Sequence, residues 1–436
     1  MKKKKNRLGR RYRAIALALC TVTLSVHAFA PINFFAPYDT NLRMPAIKDK
    51  AFPIGMNMEY GQSHHGKNWD GYRANILQLH NATESVIPML IDPIPGLLVS
   101  NPATATLINN WALLEESPSD DGTRGHIQFT GEFSQFDTTL WGGYKIPWDL
   151  GAGSFSINAY LPLRKIDIKN VSFIDQTASV TTADLQVHQD VTNNLASNLV
   201  AFGNLDIGST SISGIGDLVT TLNWHNRYIQ DKEDLKAVNL FAKIGLSIPT
   251  AQQKKVDRAF SVPLGNDGAW GMPIGIGIGL EYSYNIQIGA DVDFLVLFDK
   301  TKTRRLKTEE HQTDFFLLNK GQATKDHGLT WKFNLYAQEY RCWRGLSVKT
   351  AYEYIKHDDD RLIAKSDDFS YQIINTAQSL KEWNTHAVLF SLNYDFIHEC
   401  KKANIIPQMS IFYKLPVAGK GVINPGTFGG QCALNF

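Results

Sequence analysis

Cysteine is scarce in this chain, four in 436 residues, and one of them, Cys20, lies close to the N-terminus. The other three, Cys342, Cys400 and Cys432, are an odd set without metal-ligand spacing, which excludes a disulfide framework and a structural zinc site. At most one bridge is open to them. Cys342 and Cys400 fall near predicted turns on the same side, and unpaired thiols are the simpler expectation. No run after residue 28 reaches eighteen apolar residues, which excludes a helical membrane span. No phosphate-cradling loop or nucleotide fingerprint occurs. None of the twelve His is followed two residues later by Ser, so no imidazole is encoded beside a hydroxyl it could activate. Ser63-His64-His65 has no acid near it in sequence and reads as a solvated loop tip. His357-Asp358-Asp359-Asp360 has oxygen ligands for a divalent cation, but such a run more simply makes a solvated turn. No enzyme activity is expected, and the expected set of catalytic residues, metal ligands and cofactor contacts is none.

What the chain does have begins with a basic leader. Lys2 to Lys5, Arg7, Arg10, Arg11 and Arg13 precede an apolar stretch from Ala14 to Val26. That stretch is too short to cross a bilayer as a helix, and Val26-His27-Ala28 offers a cleavage site before Phe29. Residues 1–28 therefore read as a secretory signal peptide. Without its eight basic residues the chain has 36 Lys and Arg against 42 Asp and Glu, a net charge of −6. The excess positive charge belongs to the leader, so no nucleic-acid partner is expected.

The rest of the chain repeats one pattern, alternation of period two over about ten residues, the length a tilted strand needs to cross an outer membrane. Ile274, Ile276, Ile278, Leu280, Tyr282, Tyr284 and Ile286 alternate with Gly275, Gly277, Gly279, Glu281, Ser283 and Asn285. Leu240 to Ile248, Ala290 to Phe298, Val388 to Phe396 and Phe155 to Leu163 repeat it, with weaker members at 126–136, 140–147, 215–226, 329–340, 346–356 and 404–415. A soluble sandwich also alternates. Here, however, the strands are long, the opposite face is polar, and Trp141, Tyr144, Trp148, Trp224, Tyr340 and Trp343 stand near the ends, where interfacial aromatic girdles belong.

The last nine residues, Phe428 to Phe436, alternate up to a terminal aromatic, whereas ordinary termini are frayed and polar. This tail resembles the C-terminal strand of bacterial outer-membrane β-barrels. The resemblance implies that Phe436 sits at the periplasmic interface as an assembly signal read by the barrel assembly machinery. Counting back from Phe436, long connections at 165–214, 250–271, 301–328 and 357–385, with a shorter one at 416–426, alternate with short ones at 148–153, 227–237, 287–288, 341–345 and 398–403. Barrels of this type keep short turns on the periplasmic side.

The fold class expected is all-β, a transmembrane antiparallel up-and-down barrel occupying 126–436, twelve strands beginning with an upward one. Residues 29–125 add an N-terminal segment. Phe52 to Tyr60 alternate as another strand, and Tyr72 to His80 would return as its partner, for fourteen strands. Val86 to Ile91 and Ala105 to Glu116 then form a small helical periplasmic insert. The alternative keeps twelve strands and places 82–116 in an N-terminal plug.

Inward-facing charges are the candidate lumen-lining residues: Glu132, Asp217, Lys243, Glu281, Asp291, Asp293, Lys332, Lys349, Glu353 and Asp395, with Lys145 and Lys414. Both signs occur, so neither a strict anion pore nor a strict cation pore is indicated, and cross-barrel pairing is expected. Gly275, Gly277 and Gly279 either widen a solute path or relieve crowding where a plug approaches.

One segment adds a second resemblance. Ser213-Gly214-Ile215-Gly216-Asp217-Leu218, followed by Lys243 to Thr250 ending in Pro249-Thr250, is similar to the barrels of meta-pathway phenol degradation, related in architecture to the long-chain fatty-acid transporters. It covers about forty of 436 residues and departs from the pattern at Ala251, where Gly is usual. The resemblance implies passage of small hydrophobic compounds. The function expected is an outer-membrane channel for passive uptake of small uncharged or amphipathic solutes, with membrane lipid and the solute as partners. The alternative is a non-conducting surface protein whose long loops bind a partner.

Overall fold

The computed structural model describes residues 34–42, 50–89, 124–147, 153–177, 182, 185, 189, 192–282, 285–397, 399–400, 403–423 and 425–436. The leader at 1–28 and the stretch from Ala105 to Glu116 lie outside the described residues.

Twelve strands close into one antiparallel barrel. They are β1 (Pro53–Ser63), β2 (His126–Ile146), β3 (Ser154–Asp175), β4 (Leu218–Ile229), β5 (Leu235–Ile248), β6 (Gly271–Tyr282), β7 (Ile286–Leu297), β8 (Thr330–Trp343), β9 (Leu346–His357), β10 (Trp383–Asp395), β11 (Ile406–Lys420) and β12 (Gly426–Asn435). Each pairs with its neighbours in sequence. The ring shuts where β12 meets β1, Asn435 opposite Pro53 and Gly426 opposite Gln62. The terminus is tied into this seam. Phe436 N–H donates to Phe52 O at 3.0 Å, its carbonyl accepts from Ala51 N–H at 3.0 Å, and its ring lies 6.2 Å from that of Phe52. Cys342, Cys400 and Cys432 are all free thiols.

The expected fourteen strands are therefore twelve, and the twelve are not those counted from 126. Residues 126–136 and 140–147 form one continuous strand, so eleven strands follow residue 126 and the first of them descends toward the Phe436 end. Residues 72–80 do not cross. Arg73–Asn75 pairs with His65–Lys67 in a two-stranded sheet beyond the barrel, and Ile76, Leu77 and Leu79 are buried there. The described part of the helical insert is at the opposite end from Phe436. Glu84–Ser85 pairs with the start of β2, and the short helix Val86–Met89 buries Val86, Ile87 and Met89.

β2 and β3 explain the miscount. At 21 and 22 residues they reach about 70 Å, far more than the apolar band of about 25 Å requires. In the lower part of β2, Phe136, Leu140 and Tyr144 point outward and are exposed, while Gln135, Asp137 and Thr139 point inward and are buried. In the upper part the order inverts. Ile127, Phe129 and Phe133 point inward and Gln128, Thr130 and Glu132 outward. β3 inverts at the same height: Ile157 and Leu163 face out below, and Ile166 and Ile168 face in above.

The upper parts enclose a cap with its own core. Phe129, Phe133, Ile166 and Ile168 pack with Leu195 and Leu199 of the helix Leu195–Gly203 and with Phe260, Leu264 and Phe316. A three-stranded sheet, Lys300–Arg305 with Lys320–Asp326 and Arg361–Ala364, roofs the cap over a second cluster of Leu306, Leu362, Phe369 and Leu380. All long connections lie at this end.

Candidate functional site

Below the cap the barrel interior is polar, and a segment N-terminal to β1 fills it. Residues 34–42 form two single turns of 3-10 helix, Ala36–Tyr38 and Thr40–Leu42, with Phe35, Tyr38, Asp39 and Asn41 buried. Pro37 suits a short turn in place of a strand because it lacks an N–H and fixes φ.

The plug meets the wall through charge. Asp39 Oδ1 lies 2.8 Å from Lys332 Nζ, which also lies 3.3 Å from Asp293 Oδ2. Lys243 Nζ lies 2.9 Å from Asp293 Oδ1 and 5.3 Å from the centroid of the Tyr38 ring. Lys332 sits at the same distance over Phe35, an arrangement that favours a desolvated cation. Thr40 Oγ1 donates to Asp291 at 3.4 Å, and Lys349 Nζ to the carbonyls of Thr40 and Asn41 at 3.5 and 3.3 Å. Asn334 Nδ2 donates to Asp291 at 2.7 Å, and Lys414 Nζ lies 2.9 Å from Glu353. Asp293 and Lys332 are wholly inaccessible. Buried charge is tolerated only when paired in this way.

Six of the ten candidate residues thus converge: Lys243, Asp291, Asp293, Lys332, Lys349 and Glu353. The other four stand apart. Glu281 accepts from Arg227 Nη2 at 2.6 Å and from Asn239 at 2.7 Å, and Asp395 pairs with Arg341 at 3.0 Å, both toward the Phe436 end. Asp217 accepts from the backbone N–H groups of Ala251 and Asn266 at the foot of the cap. Glu132 faces outward, 3.5 Å from His64, on the same side of β2 as Phe136 and Leu140, a side that is polar above the inversion. Lys145 is exposed at the Phe436 end. Of the girdle residues, Tyr144 and Trp343 are exposed, whereas Trp141 packs inside against Gly55 and Tyr340 donates inward to Gln287 at 2.5 Å.

The glycines of β6 serve crowding. A Cβ on Gly275 would come within 2.1 Å of Asp293 Oδ1 and 2.6 Å of Lys243 Cε, and one on Gly277 within 2.1 Å of the Phe241 ring. Their missing side chains make room for the Lys243–Asp293 pair and for Phe241. The recess left between plug and wall, bordered by Glu59, Asp137, Arg164 and Phe412, measures about 10 Å³, space for one water.

Sequence reasoning had an N-terminal plug only as the alternative and sought it at 82–116, so it missed residues 34–42, along with Glu59, Asp137 and Arg164. The signal in 34–42 was slight: one acid, Asp39, among aromatics and a proline. Asp137 and Arg164 fell where the strand was taken to end. Among the described residues no His, Cys, Asp and Glu group has metal-binding geometry. His357 Nδ1 shares a hydrogen bond with Thr330 and its Nε2 lies 3.1 Å from Asp360, as part of the cap's base.

No family model matches the chain, and no curated protein matches it in sequence. Solved structures that resemble it are outer-membrane barrels. An outer-membrane channel from Pseudomonas putida F1 superposes with a TM-score of 0.48 at 11% identity, over 91% of this chain and 97% of the other. The toluene transporter TbuX of Ralstonia pickettii gives 0.34 at 11% identity, over 94% and 95%. A FadL homologue of Pseudomonas aeruginosa gives 0.30 at 8% identity, over 95% and 98%.

Proposed function

We propose that this chain is an outer-membrane channel for small amphipathic solutes, held shut in this conformation by residues 34–42. The observation that carries the reading is the chemistry of the wall behind the plug. A barrel with only a structural role could fill its interior with apolar side chains, as the cap does. Instead the wall presents Lys243, Lys332, Lys349, Lys414 and Arg164 against Glu59, Asp137, Asp291, Asp293 and Glu353. Were the plug withdrawn, that surface would be wetted and would carry both signs of charge, which disfavours selection of simple ions of one sign. Outside, Ile276, Ile278, Ile244, Leu335, Met409 and Ile411 are exposed in the band expected to face lipid. Phe436 would mark the periplasmic end and the cap the cell exterior.

The test is conductance in planar bilayers of the folded full chain and of a variant lacking residues 34–42. The deletion should raise conductance several-fold. A folded deletion variant that stays silent sinks the channel reading. A second reading, a non-conducting surface protein, is favoured by the cap having its own core. It requires both proteins to be silent and a partner to bind the cap.

A further inference from the structure

The outer wall of the barrel carries a hollow where the ring shuts. Leu140 of β2, Ile54 and Met56 of β1, Cys432 and Leu434 of β12 and Met409 of β11 line an open groove of about 410 Å³. Ile54, Leu140, Met409 and Leu434 are exposed on the outer face, and Cys432 is exposed among them. The floor is backbone, with Gly55 opposite Ala433 in register.

Small outward residues make the hollow. Cys432 stands between Met56 and Met409 in register, and Gly142 stands opposite Ile54. A Cβ on Gly142 would meet nothing nearer than the Ile54 side chain at 3.7 Å, the reverse of the crowding at Gly275 and Gly277. The volume falls in the range of small-ligand pockets, about 300–1,000 Å³. An apolar void left empty forfeits the dispersion contacts of its walls. Acyl chains lie against this band, and a groove with a floor and two walls touches one chain on three sides.

The lower end of the groove is charged. Lys50, just before β1, reaches under the seam to the turn before β11, where Nζ donates to the carbonyl of Asn404 and to that of Ala403 at 3.5 Å. Asn404 stands three residues before Pro407, which borders the groove. Both partners are neutral, so among the described residues no carboxylate compensates Lys50. Glu399, the acid in that turn, accepts from the Tyr394 hydroxyl at 2.6 Å. Phe52 and Phe436, both exposed, continue the apolar wall down toward the cation. A cation at one end of an apolar groove complements an amphiphile with an anionic head.

We propose that this groove seats one acyl chain of a phospholipid from the periplasmic leaflet, with the lipid phosphate at Lys50. The bound chain touches four strands, β2, β1, β12 and β11, and so staples the ring at its closing seam. The inference rests on the membrane placement of the barrel with Phe436 at its periplasmic end, and not on conduction.

Native mass spectrometry of the purified full chain, titrated in detergent with phosphatidylglycerol, tests it. One lipid should stay bound after the others are stripped, and diacylglycerol of the same chains should be retained several-fold less. Cys432→Phe and Gly142→Leu each project a side chain into the groove and should lower retention at least tenfold. Lys50→Gln should lower it several-fold. Ile276→Phe, on the outer wall away from the seam, should leave it unchanged. A graded ladder of adducts that both groove variants leave unchanged, in proteins that keep their heat-modifiable gel mobility, overturns the proposal. So does a dimer that those variants dissociate, since a second copy would then occupy the groove. Equal retention of diacylglycerol, or no change in Lys50→Gln, overturns the phosphate assignment. Planar-bilayer conductance is read separately: a conducting protein without the retained lipid removes the groove site alone, and a retained lipid with silent bilayers removes the channel alone.

Discussion

Between residues 134 and 146, β2 keeps polar side chains inside and apolar ones outside; between 126 and 133 it does the opposite. The backbone is the same strand, and only its surroundings change. Below, the exterior is apolar and the interior holds paired charges around the plug. Above, the exterior is water and the interior is the cap core. Burial of apolar surface drives both halves, and it acts on opposite faces of one strand. The boundary falls at Phe136 and Leu163, the last exposed apolar residues before Ser134 on one strand and Lys165 on the next.

The largest effect should come from the polar interior. Lys332→Met leaves Asp39 and Asp293 buried with one cation fewer, and removal of one member of a buried charge group costs about 3–5 kcal/mol. Urea unfolding of the protein in lipid vesicles measures this, and a loss under about 1 kcal/mol would mean that the network is already hydrated. Phe129→Ala should cost the cap about 3–5 kcal/mol, because Phe129 packs edge-on against Phe260 and Phe316 at 5.4 and 5.6 Å. The loss should be local. Hydrogen exchange ought to quicken in the cap and leave β6 to β9 protected, and uniform quickening would unite what the inversion divides.

The two interiors also treat acids differently. In the lumen Asp293 has two lysines. In the cap Glu84 is buried and accepts from neutral donors, Phe315 N–H at 3.0 Å and Asn81 Nδ2 at 3.3 Å. Burial raises its pKa from about 4.5 to about 8. The folded pKa exceeds the unfolded one, so the contribution of Glu84 is complete below the unfolded value and is lost as pH rises through about 8. The change is on the order of a few kcal/mol across that window. Amide exchange at 84–89 followed between pH 5 and pH 9 should show it, and Glu84→Gln should flatten the profile. A third comparison uses one face of β2. Leu140→Lys, in the apolar band, should cost about 2–4 kcal/mol, whereas Gln128→Lys, above the boundary, should change stability by less than about 0.5 kcal/mol. Equal costs at the two positions would erase the boundary.

The strands from β5 to β12 were legible because each keeps one environment per face along its whole crossing. Ile274 to Tyr282 and Phe428 to Phe436 alternate without a break. Two strands resisted. The shift of apolar parity near 133–136 looks like a turn in sequence, because two short patterns out of phase are what a hairpin also produces. Asp39 was invisible for a different reason. Its partner Lys332 lies far along the chain, and neither residue's neighbours announce the pair. The role of Gly275 and Gly277 needed the positions of Asp293 and Phe241, which belong to adjoining strands. Glu132 and Lys332 are both charged residues in alternating strands, yet only one faces the lumen.

By itself the sequence determined that the barrel is made of antiparallel strands with an apolar and a polar face, and that the last of them runs up to Phe436. Period-two patterning is local, and each strand carries its own. Only the tertiary structure decided that the barrel strands number twelve, that residues 34–42 fill the described lumen, and that the long connections contribute to a shared core. Those outcomes depend on which distant surfaces meet. Ring closure, plug docking and cap packing gain their free energy from contacts between residues far apart in the chain, and no local pattern records them.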